Sequence, residues 1–329
     1  MVALAADSVN TEQQKTARRF SRFVYRTERV IICGMPIEQI SPPRPDWIRV
    51  RARPDAEMDG LRARLSALGL NTVCEAAACP NLGHCWSRGH ATVMILGDRC
   101  TRGCRFCNVD RRPVLPPSPD EPKRVAAAVR AVGKLEEIVI TSVTRDDIPD
   151  GGAAIWAETV RAIREASPSV QIEVLVPDFK GRPADIATVV DTRPEVFGHN
   201  LEMPERLYKS FRPEADFERS LSVLRQASKA GLIAKTSLML GLGETRDELL
   251  DTFRRARDAG ASILFLGQYL QPSKRHCPVV RYIPPQEFDD LRGEALAMGF
   301  AFVASAPLVR SSYHEDGQTE YVRSFYAKA

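Results

Sequence analysis

No stretch of the 329-residue sequence approaches the roughly 18 consecutive apolar residues that a membrane-spanning helix needs. Its first residues, MVALAADSVNTEQQ, have neither the charged start nor the long apolar stretch of a secretory signal. The net charge of +4 is too small to indicate a polyanionic partner. We therefore expect no membrane segment, no export signal, and binding to neither nucleic acid nor membrane.

The signatures of nucleotide-binding and acid–base enzymes are also missing. GLGET at 241–245 superficially suggests a phosphate loop, but it has neither the G-x-G-x-x-G pattern nor the Walker lysine. A strand-to-helix turn with Thr245 as the N-cap explains it better. We find no low-complexity segment, no short repeat and no constellation of acid–base residues.

The N-terminal region is basic and lacks clear apolar periodicity. Residues 15–29, KTARRFSRFVYRTER, carry six basic residues against one glutamate. This pattern predicts a solvated or disordered arm. A contact surface for an acidic protein and a mitochondrial presequence are the alternatives.

Cysteine is the residue in which the sequence is unusually rich. Six of the eight cysteines lie between positions 74 and 107. In a chain without an export signal, which we expect in the reducing cytoplasm, clustered cysteines more often bind metal or do redox chemistry than form disulfides. The stretch therefore predicts metal sites.

From residue 91 onward, short apolar runs alternate with amphipathic stretches. We predict strands at 91–97, 136–143, 170–179, 195–202, 232–243, 262–270 and 300–306. We predict helices at 58–68, 120–134, 151–169, 184–194, 218–231, 245–261 and 284–299. This alternation calls for parallel β/α units with right-handed crossovers. The predicted fold is α/β, a partial (β/α)6 TIM-type barrel with N-terminal and C-terminal extensions, and a doubly wound sheet is the alternative.

The second group of cysteines, CTRGCRFC, directly follows a predicted strand. Cys100, Cys104 and Cys107 have the spacing C-x3-C-x2-C. Three thiolates on one tight loop can hold three irons of a [4Fe–4S] cluster and leave the fourth iron open. Phe106 can shield such a cluster from water. Zinc with a fourth ligand from elsewhere is the alternative.

This motif, with an aromatic residue before its last cysteine, resembles that of the radical S-adenosylmethionine superfamily. The resemblance implies that the open iron binds S-adenosylmethionine and that reduction of the cluster releases a 5′-deoxyadenosyl radical. Besides Phe106, polar residues near strand ends are candidates for cofactor contacts, because barrels keep their sites there. These candidates are Asn108, Thr141, Ser142, Asn200 and Glu202. Capping or buried structural roles are equally open for them.

The first group, Cys74, Cys79 and Cys85, has the spacing C-x4-C-x5-C. A second [4Fe–4S] cluster with one ligand other than these three is the economical interpretation. Residues that could complete it are Cys33, Cys277, His84 and His90, and spacing leaves this choice open.

The two triplets together resemble the lipoyl synthase family. The resemblance runs from about residue 44 to the C-terminus, and residues 1–43 match no pattern of the family. It includes TSVTRDDIPDGGA (141–153), VFGHNLE (196–202), KTSLMLGLGET (235–245), GQYLQPS (267–273) and PLVRSSYHED (307–316). In this family the second serine of RSSY ligates the auxiliary cluster, which implies Ser312 here. A serine oxygen is a weaker ligand for this soft cluster than a thiolate, which suits a cluster that is opened.

The resemblance implies a sulfurtransferase of lipoate biosynthesis that inserts two sulfur atoms at C6 and C8 of an octanoyl chain on a carrier lysine. The second triplet would generate radicals, and the cluster on the first would supply sulfur and be consumed. Histidine or glutamate cannot deprotonate such C–H bonds at neutral pH, which fits the missing acid–base constellation. Implied partners are octanoylated E2 and glycine-cleavage carrier domains, a ferredoxin or flavodoxin as electron donor, and an iron–sulfur carrier.

The implied organisation has four parts: an extension (1–43), the auxiliary-cluster segment (44–90), the radical barrel (91–306) and a C-terminal extension closing on the auxiliary cluster (307–329). Another radical sulfur-inserting enzyme remains possible, although it should not have both the first triplet and the serine ending. A two-cluster electron carrier is an alternative from another class, but it needs neither an open iron nor a barrel. A zinc-stabilised module would contain no inorganic sulfide.

Overall fold

The structure is a computed structural model that describes residues 31–32, 35–36, 41–48, 56–86, 88, 90–132 and 135–328. The chain forms two units, Met1–Gln39 and Ile40–Ala329. In the first unit, strands β1 (Ile31–Ile32) and β2 (Met35–Pro36) pair antiparallel. The basic arm at 15–29 and Cys33 lie outside the described residues, as does most of the predicted extension 1–43.

The second unit is built on an eight-stranded sheet whose strands lie side by side in chain order. Its strands are β3 (Asn71–Thr72), β4 (Thr92–Ile95), β5 (Glu137–Ser142), β6 (Gln171–Leu175), β7 (Val196–Gly198), β8 (Ile233–Leu240), β9 (Ala261–Gln268) and β10 (Phe302–Ser305). Strands β4 to β10 run parallel, and β3 is antiparallel to β4. A doubly wound sheet would reverse its strand order at a switch point. The sequential order instead confirms the predicted partial barrel.

Helices cover the crossovers of the sheet. They are α1 (Ala56–Ala67), α2 (Val73–Ala76), α3 (Leu82–Trp86), α4 (Glu121–Val132), α5 (Ala153–Ala166), α6 (Pro183–Val190), α7 (Tyr208–Phe211), α8 (Phe217–Lys229), α9 (Arg246–Asp258), α10 (Pro285–Ala297) and α11 (Asp316–Tyr326). All predicted helices and strands are present. Helices α2, α3 and α7 were not predicted, because they are too short to show a helical period. Helix α11 and the two-residue strands β1, β2 and β3 were not predicted either. No helix in the described part of the chain is long and apolar enough to cross a membrane.

The turn at 241–245 is a capped helix start, as predicted. The Thr245 side chain accepts the N–H of Glu248, and the Glu248 carboxylate accepts the N–H of Thr245. The Glu244 carboxylate accepts the amides of Gly241 and Leu242 at 2.6 and 2.8 Å. These two amides are therefore already occupied and cannot cradle a phosphate.

The C-terminal helix α11 is fastened near the starts of the parallel strands. Gln318 donates to Glu173 at 2.8 Å, and Glu173 also accepts from the buried ammonium of Lys235 at 2.7 Å. Val322 of the same helix joins a buried apolar cluster that includes Phe265 and Val309. This packing fixes the position of residues 307–314, which connect β10 to α11.

Candidate metal centres

The second triplet lies on the loop after β4, at the carboxyl end of the parallel strands. The N–H of Cys100 donates to the carbonyl of Asp110 at 2.8 Å, which closes the base of the loop. The N–H of Thr101 donates to the carbonyl of Thr144 at 3.0 Å, just beyond β5. The loop is therefore anchored to the strand beside its own.

N–H donors and a cation surround the thiols of this triplet. The amides of Arg102 and Thr144 each lie 3.4 Å from the sulfur of Cys100, and the positive charge of the Arg212 guanidinium favours the thiolate of Cys104. Burial raises the pKa of Cys107 to about 12, and the neighbouring thiols add to this effect. Bound thiolates need compensation for desolvation and mutual repulsion, which these donors supply. The donor set fits a cluster held by Cys100, Cys104 and Cys107.

A buried ionic network inside the loop was not predicted. Arg102, 6% exposed, donates from Nε to Asp146 at 2.7 Å and from a terminal nitrogen to Asp178 at 2.6 Å. Arg219 donates to the same carboxylate of Asp178 at 3.2 Å. The network joins the loop to the ends of β5 and β6. The sequence shows an arginine inside the cysteine triplet. It does not show the ion-pair partners of that arginine, because they are distant in sequence.

Two predicted cofactor contacts lie close to this triplet. The Glu202 carboxylate acts electrostatically on Cys104 and Cys107, and Asn200 donates to it at 3.2 Å. Burial raises the pKa of Glu202, against the opposing charge of Arg212. Glu202 has a φ of +67°, an uncommon conformation for a residue other than glycine. A role for either residue in binding S-adenosylmethionine stays a prediction.

The other predicted contacts differ in their surroundings. The Thr141 hydroxyl donates to the carbonyl of Leu175 within the sheet at 3.1 Å, whereas the buried Ser142 hydroxyl has no partner among the described residues. Phe106 is half-buried. Exposed Asn108 donates to the carbonyl of Ala76 at 2.9 Å. Asn108 thereby connects the second-triplet loop to α2, which carries the first triplet's leading cysteine.

Two short helices and the turn between them position the cysteines of the first triplet. Cys74 lies in α2, whose N-cap Thr72 accepts the amide of Glu75. Cys85 lies in α3, and the amide of Cys79 between the helices donates to the carbonyl of Cys74 at 2.9 Å. Burial raises the pKa of Cys85 to about 12, with the thiols of Cys79 and Cys74 adding to the rise. The three thiols thus form one interacting group.

Ser312 lines the same cavity as Cys74, Cys79 and Cys85. The Asn81 side chain, 5% exposed, donates to the carbonyl of Leu308 at 2.6 Å and fastens the two segments together. The guanidinium of Arg310 lies beside Cys79 and favours its thiolate, and the amide of His314 does the same for Cys85. Three thiols and one hydroxyl around one cavity fit a cluster with a serine ligand.

The other possible fourth ligands in the described part of the chain are less well placed. Cys277 is not among the side chains that line the cavity there, and Cys33 lies outside the described residues. His84 stacks on Tyr313 with ring centroids 6.2 Å apart. His90 lines the cavity but stacks on His314 at 3.8 Å.

His90 and His314 form a compact group with Glu137, with ligand atoms within 4.8 Å of one another. The hydrogen bond from His314 to Glu137 raises the pKa of His314. The rings of His90 and His314 are nearly parallel, at 15°, so their in-plane lone pairs do not converge on one ion. The group is better suited to orienting residues 312–316 than to binding a metal.

We expect Gly267→Ala to disturb the first-triplet site from the neighbouring strand. A Cβ on Gly267 of β9 would clash with the backbone carbonyl of Val309, three residues before Ser312. Relieving this clash requires moving the segment 307–312, and we expect the overpacking to lower the unfolding free energy by about 1–3 kcal/mol. Chemical denaturation and iron counts would check this.

Gly293→Ala in α10 is the control, because its Cβ meets nothing within 4 Å. We expect it to stabilise the protein by up to about 1 kcal/mol through helix propensity. Equal iron content and equal stability in the two variants would contradict the predicted link between β9 and Ser312.

Comparisons with known proteins identify the family of the chain. Residues 94–256 match the model of the Radical SAM superfamily. Lipoyl synthase of Chlorobium phaeovibrioides is 50% identical over 82% of this chain and 95% of its own length. That of Trichlorobacter lovleyi is 52% identical over 82% of this chain and 96% of its own.

Among solved structures, SuiB of Streptococcus suis bound to its precursor peptide SuiA is similar in fold, with a TM-score of 0.52 and 7% identity. The similarity covers 75% of this chain and 52% of that one. This similarity supports the barrel fold and nothing about function. The high identity over nearly the whole length of the relatives confirms the predicted family and enzyme class, so the chain belongs to the lipoyl synthase family of radical S-adenosylmethionine enzymes.

Proposed function

We propose that this enzyme inserts two sulfur atoms, at C6 and C8, into an octanoyl chain carried on a protein lysine, forming lipoyl-lysine. One observation carries the proposal beyond family membership: Ser312 and the thiols of the first triplet line one cavity, apart from the loop of the second triplet. Two such donor sets suit two chemical tasks, radical generation and sulfur supply.

Cys100, Cys104 and Cys107 would hold a [4Fe–4S] cluster that, with S-adenosylmethionine bound, supplies a 5′-deoxyadenosyl radical. The amides of Arg102 and Thr144 and the guanidinium of Arg212 would stabilise the thiolates. We propose that Phe106 limits water access and that Asn200 and Glu202 contact S-adenosylmethionine. We propose the same contact for Asn108, Thr141 and Ser142.

Cys74, Cys79, Cys85 and Ser312 would hold the second cluster, which is the sulfur donor and therefore a substrate. A serine oxygen binds this soft cluster more weakly than a thiolate, so the cluster can open there first. Segment 307–329 would close over this site, as the hydrogen bond from Asn81 to Leu308 supports. Segment 44–90 would supply the cysteines, and 91–306 the radical barrel.

The walls of the first-triplet cavity suit an acyl chain. Beyond the thiols they are largely aliphatic, and include Leu61, Leu65, Val93 and Val129. Each methylene buried there would contribute about 0.8 kcal/mol.

We further propose octanoylated carrier domains of 2-oxoacid dehydrogenases and of the glycine-cleavage system as substrates. A ferredoxin or flavodoxin would supply electrons, an iron–sulfur carrier would rebuild the consumed cluster, and the cytoplasm would be the location. No role for nucleic acid or membrane is proposed.

The test uses anaerobically reconstituted protein, an octanoyl-lysine peptide, S-adenosylmethionine and dithionite. We expect lipoyl peptide by mass spectrometry and about two [4Fe–4S] clusters per chain, because there are two triplets. Two clusters and 5′-deoxyadenosine without a peptide product would redirect the proposal to another substrate. Clusters without cleavage of S-adenosylmethionine would favour an electron carrier.

A further inference from the structure

The loop of the second triplet packs directly against residues 271–279. The amide of Cys277 donates to the carbonyl of Arg105 at 3.1 Å. Nε2 of His276 lies 3.1 Å from the carbonyl oxygen of Cys107, and Nδ1 of the same ring lies 2.9 Å from the Ser273 hydroxyl. The exposed side chains of these two segments therefore share one surface beside the cluster ligands.

This surface is positively charged. Arg105, Lys274 and Arg275, which we call the basic rim, are exposed and have no ion-pair partner among the described residues. Residues 271–280 contain no acidic residue. On the loop side, Glu214 is the carboxylate that contacts the backbone, accepting the Gly103 amide at 3.3 Å.

Other exposed arginines nearby are neutralised within the chain. Arg112 pairs with Asp110, and Arg281 pairs with Glu287 at 2.7 Å. The charges of the basic rim are not neutralised by the described part of the chain, so their electrostatic field can act on a second molecule. Such fields steer association over about one Debye length, roughly 8 Å at physiological salt, and a small redox interface below about 1,200 Å² relies on this steering.

We propose that the basic rim is the docking surface for an acidic one-electron carrier protein of the flavodoxin type. This rests on the proposed function, in which the cluster on Cys100, Cys104 and Cys107 must be reduced from outside. One electron passes to the cluster, the carrier is oxidised by one electron, and no atom is transferred. The rim flanks two of these three ligands, so a carrier docked there would lie beside the cluster.

The test compares two double variants of reconstituted enzyme with the same change in charge. Lys274→Glu/Arg275→Glu alters the rim. Lys123→Glu/Lys229→Glu alters two exposed lysines on α4 and α8 that have no ion-pair partner within the described part of the chain. Titration with oxidised flavodoxin at low salt measures the Kd. We expect the rim variant to bind about tenfold more weakly, with the difference shrinking at high salt. The control should bind like the wild type.

Product formation provides a second readout. The ratio of flavodoxin-driven to dithionite-driven lipoyl product should fall in parallel with affinity in the rim variant and stay at the wild-type value in the control. Equal weakening in both variants, or an unchanged Kd in the rim variant, would overturn the proposal. A raised KM for the octanoyl carrier domain under dithionite would instead assign the rim to that substrate. If wild-type enzyme forms no product with dithionite, the proposed function fails, while the flavodoxin titration still tests docking.

Discussion

Ser312→Ala should form almost no lipoyl product while still cleaving S-adenosylmethionine to 5′-deoxyadenosine. The hydroxyl lines the cavity of Cys74, Cys79 and Cys85, and the second triplet lies on a different loop. Loss of a direct ligand should cost at least the roughly 10–100-fold that follows loss of an outer-shell partner. Mass spectrometry of the peptide, alongside chromatography of 5′-deoxyadenosine, measures both activities on one sample.

The neighbouring serine supplies a matched control. Ser311 is not among the residues that line the cavity in the described chain, so Ser311→Ala should behave like the wild type. Ser312→Cys should retain iron, because a thiolate binds the cluster more strongly, but it should release sulfur more slowly. Equal loss of cleavage and insertion in a well-folded Ser312→Ala protein would count against the assigned role.

Arg102→Met should destabilise the fold and empty the second triplet. The substitution leaves Asp178, 1% exposed, without its closest cation. Removing one partner of a buried ion pair costs about 3–5 kcal/mol, a large part of the 5–15 kcal/mol that typically stabilises a domain. The loop would also lose its connection to the ends of β5 and β6. Denaturant unfolding and iron counts measure both effects.

An exposed arginine of the same loop is the control for this variant. Arg112 pairs with Asp110, with side chains 66% and 33% exposed, so Arg112→Met should cost no more than about 1 kcal/mol. Similar losses of stability in the two variants would show that the burial of the Arg102 ion pairs does not increase their contribution to the unfolding free energy.

The loss of unfolding free energy in Arg102→Met should also depend on pH. Burial opposes ionisation of Asp178, but the hydrogen bonds and charge of Arg102 hold its pKa well below the usual range. In the wild type this carboxylate stabilises the fold above its unfolded pKa of about 3.9, and that contribution is lost as pH falls through the lower folded pKa. In the variant its pKa rises, so protonation relieves the buried charge earlier. The difference in unfolding free energy should therefore be largest near neutral pH and shrink on acidification.

The sequence by itself determined the features that depend on neighbouring residues along the chain. The apolar alternation after residue 91 predicted strands β4 to β10 and every long helix that follows them except α11, because periods of two and 3.6 residues are local properties. The spacing of Cys100, Cys104 and Cys107 likewise predicted a three-thiolate loop, since so short a segment cannot separate its own ligands far. Thr245 was recognisable as an N-cap for the same reason.

Tertiary structure alone decided which distant segments meet. Arg102 pairs with Asp146 and Asp178, 44 and 76 positions away, and Asn81 contacts Leu308, 227 positions away. From the residues alone, Ser312 was one of several C-terminal serines, and only family resemblance singled it out; the fold brings it, and not Ser311, to the cavity of the first triplet. Contacts of this kind arise from the packing of the sheet and helices as a whole, and no local period or spacing encodes them.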